Sequence, residues 1–430
     1  MNRKDDEVVI TGAGLVCSLG ENIPATWDAL LSGKCGIRPI EDFDPGGFKC
    51  RMAAPVDALV PSELNIPPRD DRIMDKHSYM LLKCSRDAYF QSNLDKAPFS
   101  GEEIGFFAGM GMVDYNVEDL MPAILKSMNT EGSLDFDAFY SQGFQEIHPL
   151  WPLSMLNNIT FSQVAISLGI QGENAVFTPH SDSGAMAIVE GMKTLEDNKA
   201  KVVLAGGVSE KISPSSLARA HVFGILNTQE NNNDAMCSPF SVDRNGTILG
   251  EGCGILTMEL RSSAYKRNVP CLGSITGYGF AFEAEDGFSG PSANAISTAM
   301  KKSMDRAEIG PSDVDVIIAH GDGVRKGDQN EIEAIQRVFS GCADRIKVFS
   351  SKGALGHLLA GASAVDVILG LNMIKNGIVP STISFGPIEN DIMFHLVHQG
   401  PLKVFSRRIM INCQSYEGQC ASLLIEAENS

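Results

Sequence analysis

Phe177-Thr178-Pro179-His180-Ser181-Asp182-Ser183-Gly184-Ala185-Met186-Ala187-Ile188 decides how the rest of the chain is read. Small and polar residues give way to an apolar periodic run ending near Asp197, the pattern of a tight turn that opens a helix. A strand, Val202-Val203-Leu204-Ala205, follows almost at once and is expected to close at Gly206-Gly207. Ser181 would then sit at a helix N-terminus, where unpaired backbone N–H groups and the macrodipole favour negative charge. Turns of this build present nucleophiles, and here the position holds a serine.

Upstream, Val8-Val9-Ile10-Thr11 reads as a buried strand running into Gly12-Ala13-Gly14. The glycine pattern stops at Cys17 and no acidic residue is suitably placed about 20 residues on, which sets a dinucleotide fold aside. A helix at 23–32, a Pro/Gly-rich surface loop at 38–48, a helix at 74–91 and a strand at 103–112 follow. Residues 113–150 read as an irregular lid or interface excursion, and 151–168 as helix. Residues 228–234 read as an exposed loop. The pattern then recurs: strand 271–279, helix 293–307, strand 314–319, short strand 347–350, long helix 357–375, and a hairpin pairing 408–413 with 421–426. A special residue at a strand-to-helix junction occurs once per half. That predicts an α/β fold of two duplicated halves, 1–260 and 261–430, whose junctions converge on one pocket.

The bulk composition, 43% hydrophobic and 20% charged over 430 residues, is that of a soluble globular protein. A net charge of −18 argues against nucleic acid or an anionic membrane as the main partner. Ten cysteines are scattered singly with no CxxC pair, which points to buried reduced thiols in a cytoplasmic protein. Residues 1–7 are charged and lack the apolar core of a signal peptide, and no apolar stretch approaches the ~20 residues that span a bilayer.

Two histidines stand out. His320 ends a predicted strand in His320-Gly321-Asp322-Gly323, and His357 begins a predicted helix after Ser350-Ser351-Lys352-Gly353-Ala354-Leu355-Gly356. Flanking glycines let backbone or ligand approach both closely, so with Ser181 they outline a pocket. No metal is expected there, because no carboxylate or cysteine reads as being at ligand spacing to either histidine.

Ser181-Asp182-Ser183-Gly184, Ser238-Pro239-Phe240-Ser241-Val242-Asp243-Arg244-Asn245-Gly246, Gly250-Glu251-Gly252-Cys253-Gly254, His320-Gly321-Asp322-Gly323 and the run from Ser351 to Ala362 fall in order and at one spacing. In this the chain resembles the β-ketoacyl synthase family, from Val8 to about Glu426. The resemblance implies a thiolase-like fold in five layers, αβαβα, assembled as a dimer through the first half. It also implies a nucleophilic cysteine at position 181, with His320 and His357 acting on a malonyl thioester and Lys352 as a further catalytic position.

The departures from that pattern carry the functional reading. Ser181 replaces the cysteine. The threonine-bearing strand end after the first histidine reads Asp322-Gly323-Val324-Arg325. The glycine-rich gate after Asn412 carries Gln414, Ser415, Tyr416 and Glu417, and a gate without small residues is expected to be fixed. A helix N-terminus and a histidine can ionise a thiol whose ordinary pKa is about 8.5. An alkanol needs a well-placed general base as well. An acyl-serine is moreover an oxygen ester, so its exchange with a carrier thiol loses the near-balance of thioester exchange. Chain elongation from Ser181 is not expected.

Within that family the sequence looks like the β subunit, or chain length factor, of a type II polyketide synthase. The family's usual replacement for the cysteine in such subunits is glutamine, so Ser181 departs from that pattern too. Such subunits form a heterodimer with a cysteine-bearing ketosynthase and shape the tunnel for the growing chain. The resemblance places the tunnel floor near the strand end at 107–115, where Met110, Met112 and Tyr115 either limit the number of ketide units or are plain interface core. The acidic surface suits docking of an acyl carrier protein mainly on the partner, its phosphopantetheine arm being carried substrate and no resident cofactor being required. The alternative is an enzyme. His320 and His357 would stabilise the enolate formed when malonyl-carrier protein loses carbon dioxide, or Ser181 would act with a histidine base as an acyltransferase nucleophile.

Overall fold

Runs of aliphatic residues buried on both faces form the strands at the centre of the molecule, as sheets covered by helices on each side require. The structure, a computed structural model, describes residues 7–114, 117–149, 151–228, 236–285 and 288–428. The first half supplies β1 (Val8–Cys17), β2 (Ile104–Met110), β3 (Asn174–Phe177), β4 (Val202–Val208) and β5 (Gly252–Leu260). The second supplies β6 (Gly273–Phe282), β7 (Val316–Ile318), β8 (Lys347–Phe349), the short β9 (His395–Leu396), β10 (Arg408–Gln414) and β11 (Gln419–Glu426).

Strand order reveals the duplication. The first half runs β1-β5-β4-β2-β3 and the second β6-β11-β10-β7-β8, with β9 added at the edge. In each half the first two pairings from β1 or β6 are antiparallel and the next two parallel. The halves join where β1 meets β6 at Val9–Ser274 and Ile10–Gly273.

Helices complete five layers. On the outer face of the first half lie α1 (Lys76–Gln91) and α2 (Asn157–Leu168), where Phe161 stacks on Phe106 at 4.3 Å between centroids. Between the sheets, α3 (Ser183–Glu196) and α6 (Ala362–Asn376) share one apolar cluster containing Ala185, Ile188, Val365 and Ile368. On the far face α4 (Ala293–Ala307) and α5 (Arg325–Val338) bury Met300, Ile335 and Phe339. The predicted thiolase-like αβαβα arrangement is present.

Three local expectations are corrected. Gly12 and Gly14 do not end β1. A Cβ there would lie 2.3 Å from the Ala88 carbonyl oxygen and 2.0 Å from that of Cys84, so these glycines let α1 press against the strand. Gly206 and Gly207 likewise lie inside β4, where a Cβ would meet the carbonyl oxygens of Gly254 and Ala360 at 2.1 Å. The helix expected from His357 begins at Ala362. Before it come a short helix, Lys352–Leu355, then Gly356 at φ 67° and Leu359 at φ 48°, which leave His357 on a loop. The 113–150 excursion contains the short helices Met121–Lys126 and Phe136–Ser141. Among the described residues no helix is long and apolar enough to cross a membrane.

Candidate active site

The end of β3 and the start of α3 place Ser181, as read from its turn, between the sheets, where it is 3% exposed. Its N–H donates to Ser415 Oγ at 3.1 Å, and its carbonyl accepts the Cys413 thiol at 3.1 Å. Both partners belong to the β10–β11 hairpin, so the terminal hairpin holds the turn in place. Cys413 is no substitute nucleophile: burial and the nearby Asp182 charge push its thiol well above the ordinary range.

The histidines converge as expected, with ring centroids 4.9 Å apart and edge to face. His320 is held at the end of β7 because Glu331, on α5, accepts the His320 and Gly321 N–H groups at 2.9 and 2.8 Å. Each imidazole accepts a backbone N–H at Nδ1, His320 from Gln414 and His357 from Leu359, both at 3.2 Å. A backbone N–H cannot act as an acceptor, so these bonds assign the proton to Nε2 in both rings. Each ring therefore presents its N–H donor at Nε2. With each Nδ1 lone pair engaged by a backbone N–H, neither ring offers one that could take a proton from Ser181. Burial, helped by the nearby Lys352 charge, depresses His357 well below the usual imidazole range, which keeps it neutral.

Asp322 is the residue whose role sequence reasoning missed, although its identity stood out as a departure. Its Oδ2 lies 3.6 Å from His320 Nε2 and accepts the Tyr416 hydroxyl at 3.0 Å. Its Oδ1 accepts the Val324 N–H at 3.0 Å, and its own N–H donates to Asp328 at 3.0 Å. Burial opposes ionisation, but the side-chain contact with His320 and the neighbouring imidazoles outweigh it and hold the carboxyl below its usual range. The expectation of no nearby carboxylate ligand is thus corrected: one ligand atom each from His320, Asp322 and His357 lie within 4.8 Å of one another. The donor chemistry does not fit a metal ion, since both imidazoles present N–H to the cluster and ligation needs their lone pairs.

The gate residues are pinned, each by a different bond. Gln414 holds His320 through its backbone, Ser415 holds the Ser181 turn and bonds Glu417, and Glu417 lies 3.3 Å from His180. Tyr416 packs edge to face on His357 at 5.4 Å, stacks against Phe223 at 6.2 Å and reaches Asp322. It lines two small spaces near the site: about 60 Å³ in front of Ser181 and about 10 Å³ beside His320 and Asp322. Such volumes hold a few waters at most, against about 300–1,000 Å³ for an ordinary ligand pocket. A roomier recess of about 1030 Å³ lies around Trp27 and Phe90 and includes none of these residues.

Lys352 is buried against Asp366 at 2.6 Å, away from the small cavities, and Ser351 Oγ donates to the same carboxylate at 2.6 Å. Glu251 is equally structural, accepting the Val56 and Ile212 N–H groups at 2.9 Å. Met110 is fully buried in the outer cluster beneath α1 and lines neither small cavity. Met112 is 40% exposed at the mouth of the space before Ser181. Tyr115 and most of the 228–234 loop lie outside the described residues. Asp182 was also overlooked. It occupies the N-cap position of α3, is buried with no partner for Oδ1 among the described residues, and is pushed up first by burial.

Comparison with known proteins agrees with this geometry. The family described as "Beta-ketoacyl synthase, N-terminal domain" matches residues 5–264, and "Beta-ketoacyl synthase, C-terminal domain" matches residues 272–386. A 3-oxoacyl-[acyl-carrier-protein] synthase 2 from Coxiella burnetii is 29% identical over 378 residues, 88% of each chain. Among solved structures, the ishigamide ketosynthase/chain length factor superposes with a TM-score of 0.86 at 23% identity, over 99% of this chain and 100% of the other. A type II polyketide-synthase acyl-carrier protein in complex with its ketosynthase matches with a TM-score of 0.81 at 22% identity, over 98% and 100%.

Proposed function

The chain belongs to the β-ketoacyl synthase family, and from that premise we propose that it is a non-condensing, chain-length-factor-type subunit. It pairs with a cysteine-bearing ketosynthase in a type II polyketide synthase and leaves condensation to that partner. The observation that carries this reading is the filled pocket: Tyr416 lines the small space before Ser181, packs on His357 and bonds Asp322 beside His320. A serine without an acceptor imidazole, facing about 60 Å³ of space, has neither the activation nor the room for acyl transfer. The phosphopantetheine arm of an acyl carrier protein then delivers its cargo to the partner's cysteine.

A partner surface supports the same reading. Edge strand β3 pairs on one side only among the described residues, and its side chains are exposed or half-buried. The helix α2 that packs on β3 exposes Ile166, and the 113–150 excursion exposes Leu125, Phe136, Tyr140 and Phe144. An unpaired edge and apolar side chains at the surface suit burial against a second chain. The decarboxylase alternative shares the two N–H donors but meets the Asp322 carboxylate in the position an anionic substrate needs.

The test is intact-mass analysis of malonyl-carrier protein incubated with this chain, with its candidate ketosynthase, and with both. The expected result is no change with this chain alone, and elongation with both that survives Ser181→Ala. Acetyl-carrier protein made by this chain alone and lost in His320→Ala, or an acyl mass lost in Ser181→Ala, would overturn the proposal.

A further inference from the structure

His357 Nε2 is buried and has no hydrogen-bond partner among the described residues, while His320 Nε2 lies 3.6 Å from the Asp322 carboxylate. A buried donor left unpaired is costly, so the orphaned His357 donor, within 4.8 Å of the His320 and Asp322 ligand atoms, needs an explanation. Asp322 is aimed at them by its backbone. Gly321 at φ 30° and Gly323 at φ 82° flank it, and Asp328 accepts the N–H of both Asp322 and Gly323. One carboxylate oxygen is spent on Val324, so only the other faces the pair, and His357 is left without an acceptor.

We propose that Asp322 is a built-in ligand for the histidine pair: its carboxylate occupies the seat of an external carboxylate and closes an anion site that the two Nε2–H groups otherwise form. The inference deepens the non-condensing reading and rests on it for the identity of the pocket. The missing acceptor at His357 is the mark of a substitute that fills half of a two-oxygen site. Tyr416 seals the arrangement, its hydroxyl directed to the same oxygen that faces His320. Removing the Asp322 side chain vacates a small, positively polarised space suited to a monocarboxylate. The ionised state of Asp322 in a buried position accords with this, because the histidine contacts outweigh the cost of burial.

The test is titration of the purified full chain with [13C]acetate, followed by line broadening, in the unaltered protein and in Asp322→Ala. Asp322→Thr is the second variant, since its hydroxyl can still accept the Val324 N–H should the alanine variant fold poorly. Circular dichroism checks folding of each. Two charge-assisted hydrogen bonds predict acetate affinity raised by about tenfold or more over the unaltered chain. Adding His320→Ala to either variant abolishes the gain. Folded variants that bind acetate no better than the unaltered chain would overturn the proposal, as would a gain that survives loss of both histidines. If partner-dependent elongation fails while the acetate gain appears, the subunit role falls and the anion site stands. The reverse result removes the anion site alone.

Discussion

Lys352 resembles a catalytic position, but its surroundings make it a clamp, and substitution separates the two roles. Its ammonium lies 2.6 Å from Asp366 Oδ2, with both side chains at most 2% exposed. Burial alone would depress the ammonium, yet the charge and hydrogen bond of Asp366 outweigh it and hold Lys352 above its usual range. The sign follows. A base whose pKa rises on folding contributes stability throughout the range below its unfolded value of about 10.4, and loses it only as pH climbs through the folded value. Lys352→Met leaves Asp366 buried with Ser351 as its one remaining side-chain donor among the described residues. Breaking a buried pair by removing one partner costs about 3–5 kcal/mol, a factor of roughly 10²–10⁴ in the folded-to-unfolded ratio. Replacing both partners, Lys352→Met with Asp366→Leu, restores most of that loss because no charge is left stranded. Guanidinium unfolding followed by circular dichroism at pH 7.5 measures all three variants, with unfolding rates used if refolding is incomplete. A loss under about 1 kcal/mol in Lys352→Met, the range of an exposed pair, would refute the clamp. So would a double variant no more stable than the single one.

Further outcomes follow from the same geometry. Ser181→Cys does not restore condensation; its thiol keeps an alkylation pKa at or above about 8.5, because neighbouring carboxylates of Asp182 and Glu417 oppose the helix N-terminus. Iodoacetamide labelling against pH reads this, and a value below about 7 with acyl uptake from a carrier protein would contradict it. Tyr416→Phe removes the hydroxyl bonded to the Asp322 carboxylate and lowers stability by about 1.5–3 kcal/mol, with no gain of acyl transfer; an unchanged unfolding midpoint would count against the contact. His357 is depressed on folding, so its contribution is present above an unfolded pKa of about 6.5 and lost as pH falls below it, at up to about 1.4 kcal/mol per pH unit. His357→Gln should delay acid destabilisation to the carboxylate range, and a midpoint-versus-pH curve that overlays the unaltered chain's would refute this.

Much of the architecture is legible in local sequence because it depends on local chemistry. Hydrophobic runs mark the β10–β11 hairpin, the period of apolar residues marks α4 at residues 293–307, and the small-residue turn before α3 marks Ser181. The glycines of β1 and β4 misled, because their purpose is the approach of backbone from another element, a contact no neighbouring residue records. His357 was placed on a helix because its apolar surroundings are helical in period, whereas left-handed residues at 356 and 359 hold it on a loop.

By itself the sequence determined the order of motifs, the absence of a thiol at position 181 and the presence of two histidines at element junctions. These are properties of residue type and spacing. Only the tertiary structure decided that both histidines are donors, since the N–H groups fixing Nδ1 come from the paths of two separate loops. Only it could join Tyr416 to Asp322 across 94 residues and show that carboxylate turned toward His320. A side chain's identity is local, but the direction of its hydrogen bonds and the space left beside it are set by whatever distant chain packs against it.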